Sequence, residues 1–191
     1  MTMASDAGNF RAAKPRLPGD PSPAEAIRRM IRVDHAGEVG ATRIYAGQLA
    51  VLGRSRLGDE IRRMADQEIR HREVFDRMIA ARRVRPTVLR PFWDVAGFAL
   101  GAATALLGER AAMACTVAVE EVIEEHYQKQ AEALGDSEPE LRSVIEEFRA
   151  EEIEHRDIGH AHGAELTPGY PVLRAAIGAG SKLAIWLSTR F

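Results

Sequence analysis

Apolar residues recur at helical intervals through most of this chain, beginning after Pro21-Ser22-Pro23. From Ala24 to Leu52, the residues Ile27, Ile31, Ile44, Leu49 and Leu52 keep that spacing and predict one long helix. Gly37, Gly40 and Gly47 interrupt it. Each costs about 1 kcal/mol relative to alanine, and glycine there suits the close approach of another helix or of a ligand. Gly53 and Gly58 bracket a short turn, and Asp59 is placed to cap a second helix running to Arg83. Pro86 and Pro91 then end helical continuity. A third helix is expected from Glu109 to Leu134. Gly135-Asp136-Ser137 makes a turn, with Ser137 as N-cap and Glu140 completing a capping box. Pro139 falls in the first turn of the fourth helix, where proline is tolerated. That helix continues to His162.

Two further segments are more apolar. Phe92 to Leu107 holds one charge, Asp94, and follows Arg82, Arg83, Arg85 and Arg90. Its 16 residues fall short of the roughly 20 that a bilayer-spanning helix needs. Pro171 to Phe191 is apolar with Arg174, Lys182 and Arg190, and has no acidic residue. Both suit helices lying in a membrane interface, with Phe92, Trp93, Phe98 and Leu106 as apolar contacts. The expected fold is all-α: two helical hairpins with short turns, joined by a long apolar crossover and followed by a C-terminal amphipathic helix.

Residues 1–23, rich in Ala, Gly and Pro and carrying Asp6, read as a flexible lead-in. They lack the apolar stretch of a secretory signal and make a poor mitochondrial presequence. Residues 24–191 then form one domain. A chain of 191 residues with 46% hydrophobic content can bury a proper core. Its formal charge of −2 argues against nucleic-acid binding. The single cysteine, Cys115, excludes an internal disulfide and an iron–sulfur cluster. Its neighbours, Ala112 to Val119, read as buried helix and not as a nucleophile's setting.

Chemistry enters with two E-x-x-H motifs, Glu68-Ile-Arg-His71 and Glu152-Ile-Glu-His155. The i, i+3 spacing sets a carboxylate and an imidazole side by side on one helix face. Each motif follows a lone glutamate by about thirty residues: Glu38 precedes the first and Glu120 the second. Aligning Glu38 with Glu120 also pairs Tyr45 with Tyr127 and Gln48 with Gln130, and brings the motifs within two residues of register. The chain therefore reads as two hairpins related by a pseudo-twofold. One Glu from each of two helices and Glu-x-x-His from each of the other two is the ligand set of di-iron and di-manganese bundles, and one long crossover is the ferritin-like topology.

Glu38, Glu68, His71, Glu120, Glu152 and His155 are thus the candidate metal ligands. Four carboxylates and two neutral imidazoles balance two Fe(II) ions, which matters because an unpaired buried carboxylate costs several kcal/mol. Oxygen and imidazole donors with open positions fit iron or manganese better than zinc. Glu68 and Glu152 are the candidate bridges, with Glu38 and Glu120 terminal and one histidine on each metal. The alternative, four helices carrying solvated acids, requires all four segments to coincide by chance.

Other residues tempt a role. His35 is either a support for Glu38 or a solvated histidine. Tyr45 and Tyr127 share the ligand face and serve packing or a relay. Glu124 is a spare ligand candidate, while His126 lies off that face. His160 and His162 stand near a helix end, where a charged histidine is stabilised without metal.

Three segments carry a family resemblance: Val33-Asp-His-Ala-Gly-Glu-Val-Gly-Ala-Thr-Arg-Ile-Tyr-Ala-Gly-Gln48, Cys115-Thr-Val-Ala-Val-Glu-Glu121 and Phe148-Arg-Ala-Glu-Glu-Ile-Glu-His-Arg-Asp-Ile-Gly159. With the basic-apolar C-terminus, they closely resemble the Coq7/CLK-1 demethoxyubiquinone hydroxylases. The resemblance runs from about Pro23 to Phe191. It implies a di-iron monooxygenase that hydroxylates the ring of demethoxyubiquinone or its quinol with O2. Carried over residue by residue, it puts the ligands on the same six residues and a redox-assisting His–Tyr pair on His126 and Tyr127. It also implies a polyprenyl quinone substrate, a membrane surface and an external reductant, with NADH as a candidate. A Coq9-like lipid-binding protein and a second copy of the chain are the candidate partners. The expected location is the cytoplasmic face of a bacterial inner membrane, or the matrix face in a mitochondrial member. Two competing functions share some of these features, a ferritin-like ferroxidase and a non-catalytic quinone-binding protein at the membrane surface.

Overall fold

A computed structural model describes Leu17 and residues 19–191, and most of the expected lead-in, residues 1–16 and 18, lies outside the described residues. Six α-helices account for nearly all of the rest: α1 (Pro23–Leu52), α2 (Gly58–Ala81), α3 (Arg90–Leu106), α4 (Glu109–Leu134), α5 (Pro139–Ala161) and α6 (Tyr170–Arg190). A short 3-10 turn, Ala164–Leu166, precedes α6, and no strand occurs among the described residues. The all-α expectation holds, and the helix limits fall within about two residues of those read from periodicity.

Two of the expected caps do not form. Asp59 lies inside the first turn of α2, whose N-cap is Leu57 with no side-chain bond. An acid in a first turn still meets the positive end of the helix dipole, so Asp59 suits its position without capping. Ser137 does not cap α5 either. Its hydroxyl donates to the Leu134 carbonyl at 2.6 Å and so closes the end of α4, and the N-cap of α5 is Glu138. The cap that does form is Ser22, whose hydroxyl accepts from the Glu25 amide at 3.2 Å at the start of α1.

Helix α1 packs on α2 and α3, and α4 packs on α5 and α6. Three apolar clusters fill the interior, and two of them flank the candidate site. One gathers Tyr45, Ile61, Met64, Met113 and Val117. The other gathers Ile31, Phe75, Tyr127, Leu141, Ile145 and Phe148. Along each of α1, α2, α4 and α5 the chain passes from one cluster to the other, and the polar residues of the candidate site lie between them.

The crossover between α2 and α4 carries α3. Among the described residues no helix is long and apolar enough to cross a membrane. Instead α3 presses onto α1 through glycines: a Cβ on Gly101 would stand 1.9 Å from the Ile44 carbonyl oxygen, and one on Gly47 would stand 2.2 Å from that of Phe98. The glycines of α1 therefore divide the two roles expected of them. Gly47 admits a helix, whereas Gly37 and Gly40 have open space beside them and line a cavity.

The outer faces of α3 and α6 expose Phe92, Val95, Leu106, Leu183 and Trp186. Trp93 and Phe98 are not outward contacts as expected. The Trp93 indole donates to Ser188 on α6 at 3.0 Å, and Phe98 lies under the Arg43 guanidinium.

Gly101→Ala should lower the unfolding free energy by about 2 kcal/mol, the typical cost of overpacking. Gly180→Ala, with open space around it, should raise it by about 1 kcal/mol through helix propensity. Urea unfolding followed by circular dichroism checks both. Equal effects would mean that α3 does not sit tightly on α1.

Candidate metal centre

The three-residue spacing within each E-x-x-H motif turns both of its candidate ligands to one inward face. Glu38 comes from α1, Glu68 and His71 from α2, Glu120 from α4, and Glu152 and His155 from α5. None of the six is more than 2% exposed. Among the described residues they form two groups that could hold a metal ion: Glu38, Glu68, His71 and Glu152, and then Glu68, Glu120, Glu152 and His155. Within each group one ligand atom per residue lies within 4.8 Å of the others. Glu68 and Glu152 belong to both, which is the geometry a bridging carboxylate requires.

Both histidines turn Nδ1 into the cluster. That of His71 stands 3.5 Å from Glu38 and 3.3 Å from Glu152. That of His155 stands 3.1 Å from Glu68 and 3.3 Å from Glu152. Burial pushes the Glu68 carboxyl up, aided by the Glu152 charge, to about 8. Burial also raises Glu38, and it raises Glu120 well above the usual range, with the charges of Glu152 and Glu68 adding to the effect there. For His71, burial works downward, but Glu152 and Glu38 outweigh it and lift the imidazole to about 12. His155 likewise rises to about 10 against burial, through Glu152 and Glu68.

Without a cation, then, this core tolerates its carboxylates only by binding extra protons. Eight buried side-chain atoms in it have no hydrogen-bond partner: Glu38 Oε2, both oxygens of Glu68 and of Glu152, Glu120 Oε2, and Nδ1 of each histidine. Buried polar atoms are nearly always paired. Eight orphans converging on one volume, all oxygen or imidazole nitrogen, fit a pair of divalent first-row metals.

Around the six, partners cross between the hairpins. Tyr45 donates to Glu120 at 2.9 Å, and Tyr127 donates to Glu38. Each tyrosine thus serves the glutamate of the other hairpin. His126 does not reach the cluster. Its Nε2 lies 3.0 Å from Asp34, which is buried and also accepts from Gln130 at 2.7 Å. His35 is buried and bonded to Asp76 at 2.9 Å, so it is not a solvated histidine. Glu124 is not a spare ligand; it pairs with Arg149 and Arg156. His160 meets Glu165 at 3.3 Å near the end of α5. Cys115 is wholly buried, and burial pushes its thiol up to about 12.

Three polar residues around the site escape a reading of the sequence: Asp34, Gln67 and Glu151. His155 Nε2 lies 3.0 Å from Gln67, and His71 Nε2 lies 2.9 Å from Glu151. Gln67 and Glu151 each stand immediately before a ligand glutamate, and that position was the available signal. Which histidine each one meets depends on how α2 pairs with α5.

An apolar cavity of about 570 Å³ opens between α1, α3, α4 and α6. Gly37 and Ala41 in its wall flank Glu38, and Val119 and Ile123 flank Glu120. Trp93 and Ile177 complete the opposite side.

Residues 25–188 match the protein family described as "Ubiquinone biosynthesis protein COQ7". A relative from Rhodospirillum rubrum, named 3-demethoxyubiquinol 3-hydroxylase, is 59% identical over 96% of this chain and 87% of its own length. One from Bos taurus, named NADPH-dependent 3-demethoxyubiquinone 3-hydroxylase, mitochondrial, is 60% identical over 87% of this chain and 78% of its own. The Saccharomyces cerevisiae 5-demethoxyubiquinone hydroxylase, mitochondrial, is 41% identical over 86% of this chain and 78% of its own. With the family matched along nearly its whole length, this chain belongs to the COQ7 family of ubiquinone biosynthesis proteins.

Proposed function

We propose that this chain is a 3-demethoxyubiquinol 3-hydroxylase of ubiquinone biosynthesis, working through two irons held in a ferritin-like four-helix bundle. Residues 24–191 act as one catalytic domain. The observation that carries this reading is the convergence of eight unpartnered buried ligand atoms, on helices of which α1 and α4 also wall an apolar cavity. Glu38 and His71 would hold one iron and Glu120 and His155 the other, with Glu68 and Glu152, which belong to both groups, shared between them. Four carboxylates and two Fe(II) ions then cancel in charge, which removes the penalty of burying the acids. When bound, an iron pair would activate O2, so that one oxygen atom would enter the quinol ring and the other would leave as water with two protons and two electrons from the external reductant.

The residues of the chain do the rest. The cavity takes the quinol ring and the first units of its tail, and the bare backbone at Gly37 and Gly40 lets the ring lie close to Glu38. Apolar walls exclude water from the reacting ring. Tyr127 holds Glu38 through its hydroxyl. Next to it, His126 and Asp34 form a polar pair at a position partly open to solvent, suited to supplying protons. The exposed apolar residues of α3 and α6 rest in the interface of the inner membrane, cytoplasmic in a bacterium and matrix-facing in a mitochondrion, with basic residues at the headgroups. The external reductant is put at NADPH and not NADH, following the names of the mitochondrial relatives. A ferroxidase would need a polar ion path at the site, and the wall of this cavity is apolar.

The test is a single turnover. Anaerobically reconstituted, chemically reduced protein is mixed with O2 and demethoxyubiquinol, and the product is weighed by mass spectrometry. One oxygen atom added per quinol is expected. Fe(II) oxidation with unaltered quinol would favour the ferroxidase.

Glu152→Ala and Glu68→Ala should each bind no iron, as bridges must, whereas wild type binds two per chain by elemental analysis. Retention of one iron in both variants would reject the bridging assignment. Replacing Phe92, Val95, Leu106 and Trp186 by Ser should release the protein from anionic liposomes in flotation and raise KM for a long-tailed quinone. Activity on a short-tailed quinone should persist; equal losses on both would make these residues packing. Tyr127→Phe should keep both irons and slow stopped-flow reduction of the diferric protein at least tenfold, about 1.4 kcal/mol of barrier. An unchanged rate, with stability lower by about 1 kcal/mol, would leave Tyr127 as a core residue.

A further inference from the structure

Gln67 and Glu151 close the seam between α2 and α5 on the outer side of the two histidines. The Gln67 side chain accepts from His155 Nε2 through Oε1 at 3.0 Å and donates through Nε2 to Glu151 Oε2 at 3.2 Å. The same Glu151 oxygen lies 2.9 Å from His71 Nε2 and accepts from Arg70 at 3.3 Å. Arg63 donates to Gln67 Oε1 at 3.3 Å. One unbroken chain of hydrogen bonds therefore runs from His155 through Gln67 and Glu151 to His71.

We propose that Gln67 and Glu151 act as one positioning pair, which fixes the nitrogen each histidine offers to metal and makes the two metal positions unequal. This rests on the six-ligand reading above. A carboxylate and an amide oxygen can only accept hydrogen bonds. Because Gln67 donates its amide nitrogen to Glu151, its oxygen must be the atom that faces His155. Both histidines accordingly keep hydrogen on Nε2, so that the nitrogen left to exchange its proton for a metal is Nδ1, which is already aimed at the ligand carboxylates. Such outer partners orient a ligating imidazole and strengthen its donation.

At the histidines the two halves differ in the outer partner. His71 leans on an anion and His155 on a neutral amide, although both partners stand in the same place, one residue before the motif glutamate. A carboxylate acceptor draws the N–H proton more strongly and leaves Nδ1 the better donor. The position of Glu38 and His71 therefore binds the first iron, and that of Glu120 and His155 the second. Pseudo-symmetric helices yield chemically distinct metals through a single Gln-for-Glu difference.

Anaerobic titration of metal-free protein with 57Fe(II), read by Mössbauer spectroscopy and calorimetry, tests this. Wild type should fill two distinct doublets in order. Glu151→Gln keeps the shape and an acceptor oxygen but removes the charge. It should weaken the first binding step 10- to 100-fold, draw the two doublets together and leave the melting temperature of the metal-free protein unchanged. Gln67→Leu should weaken only the second step. A single doublet of equivalent irons in wild type would overturn the inequality without recourse to any variant. Wild-type affinities and spectra in both variants would reduce the pair to a packing seam. Wild type that binds fewer than two irons would instead sink the six-ligand reading on which the pair depends.

Discussion

Four carboxylates share the interior of this bundle within a few ångströms of one another, and the rest of the molecule is organised around making that tolerable. Taking a carboxylate out of water costs several kcal/mol, and like charges at such distances add to it. Protonation offers one escape, visible in the raised Glu38, Glu68 and Glu120 and in the two strongly basic histidines. A pair of divalent cations offers the other, and it alone would partner all eight orphaned ligand atoms. Helices suit the task because their backbones are satisfied internally, so every polar side chain that points inward is free to serve the centre. The apolar clusters on either side keep water away from it.

The same constraint explains why partners cross from one hairpin to the other. Tyr45 and Tyr127 each lie two turns beyond a ligand glutamate on their own helix, too far along the axis to reach it. Their hydroxyls meet the glutamate of the antiparallel neighbour instead. Gln67 and Glu151 repeat the exchange at the histidines. Every such bond ties the two hairpins together at the depth of the buried cluster, so the hairpin packing and the cluster hold each other in place.

Symmetry is broken where substrate and solvent must be told apart. Asp34 and Thr116 occupy equivalent places four residues before Glu38 and Glu120. Gln130 donates to the one and Gln48 to the other. Only the Asp34 arrangement adds a histidine, His126 on α4, with partial exposure; its counterpart on α1 is Ile44, which faces the apolar cavity. One half of the frame thus presents an acid–base pair, and the other presents grease. The glycine-tight seating of α3 on α1, and the light contact of α6, leave the cavity between them open.

The helices and the inward convergence of six glutamates and histidines were legible in the sequence, because helical periodicity and the i, i+3 spacing are local and survive in any tertiary setting. The repeat of Glu38 and Glu120, each followed by E-x-x-H, pointed to this buried cluster before any contact was known. Caps were less legible: Ser137 had two neighbouring carbonyl and amide groups to choose from, and it closed α4 instead of opening α5. The outward set on α3 was half right, since Phe92 and Leu106 are exposed while Trp93 reaches back to Ser188 on α6, a helix nearly a hundred residues later. Asp34, Gln67 and Glu151 looked like ordinary polar positions of a glutamate-rich chain. Their roles depend on which helix lies opposite and how far the two are offset. Side-chain spacing along one helix carries no record of that offset; only the packing of α1 with α4 and α2 with α5 decides it.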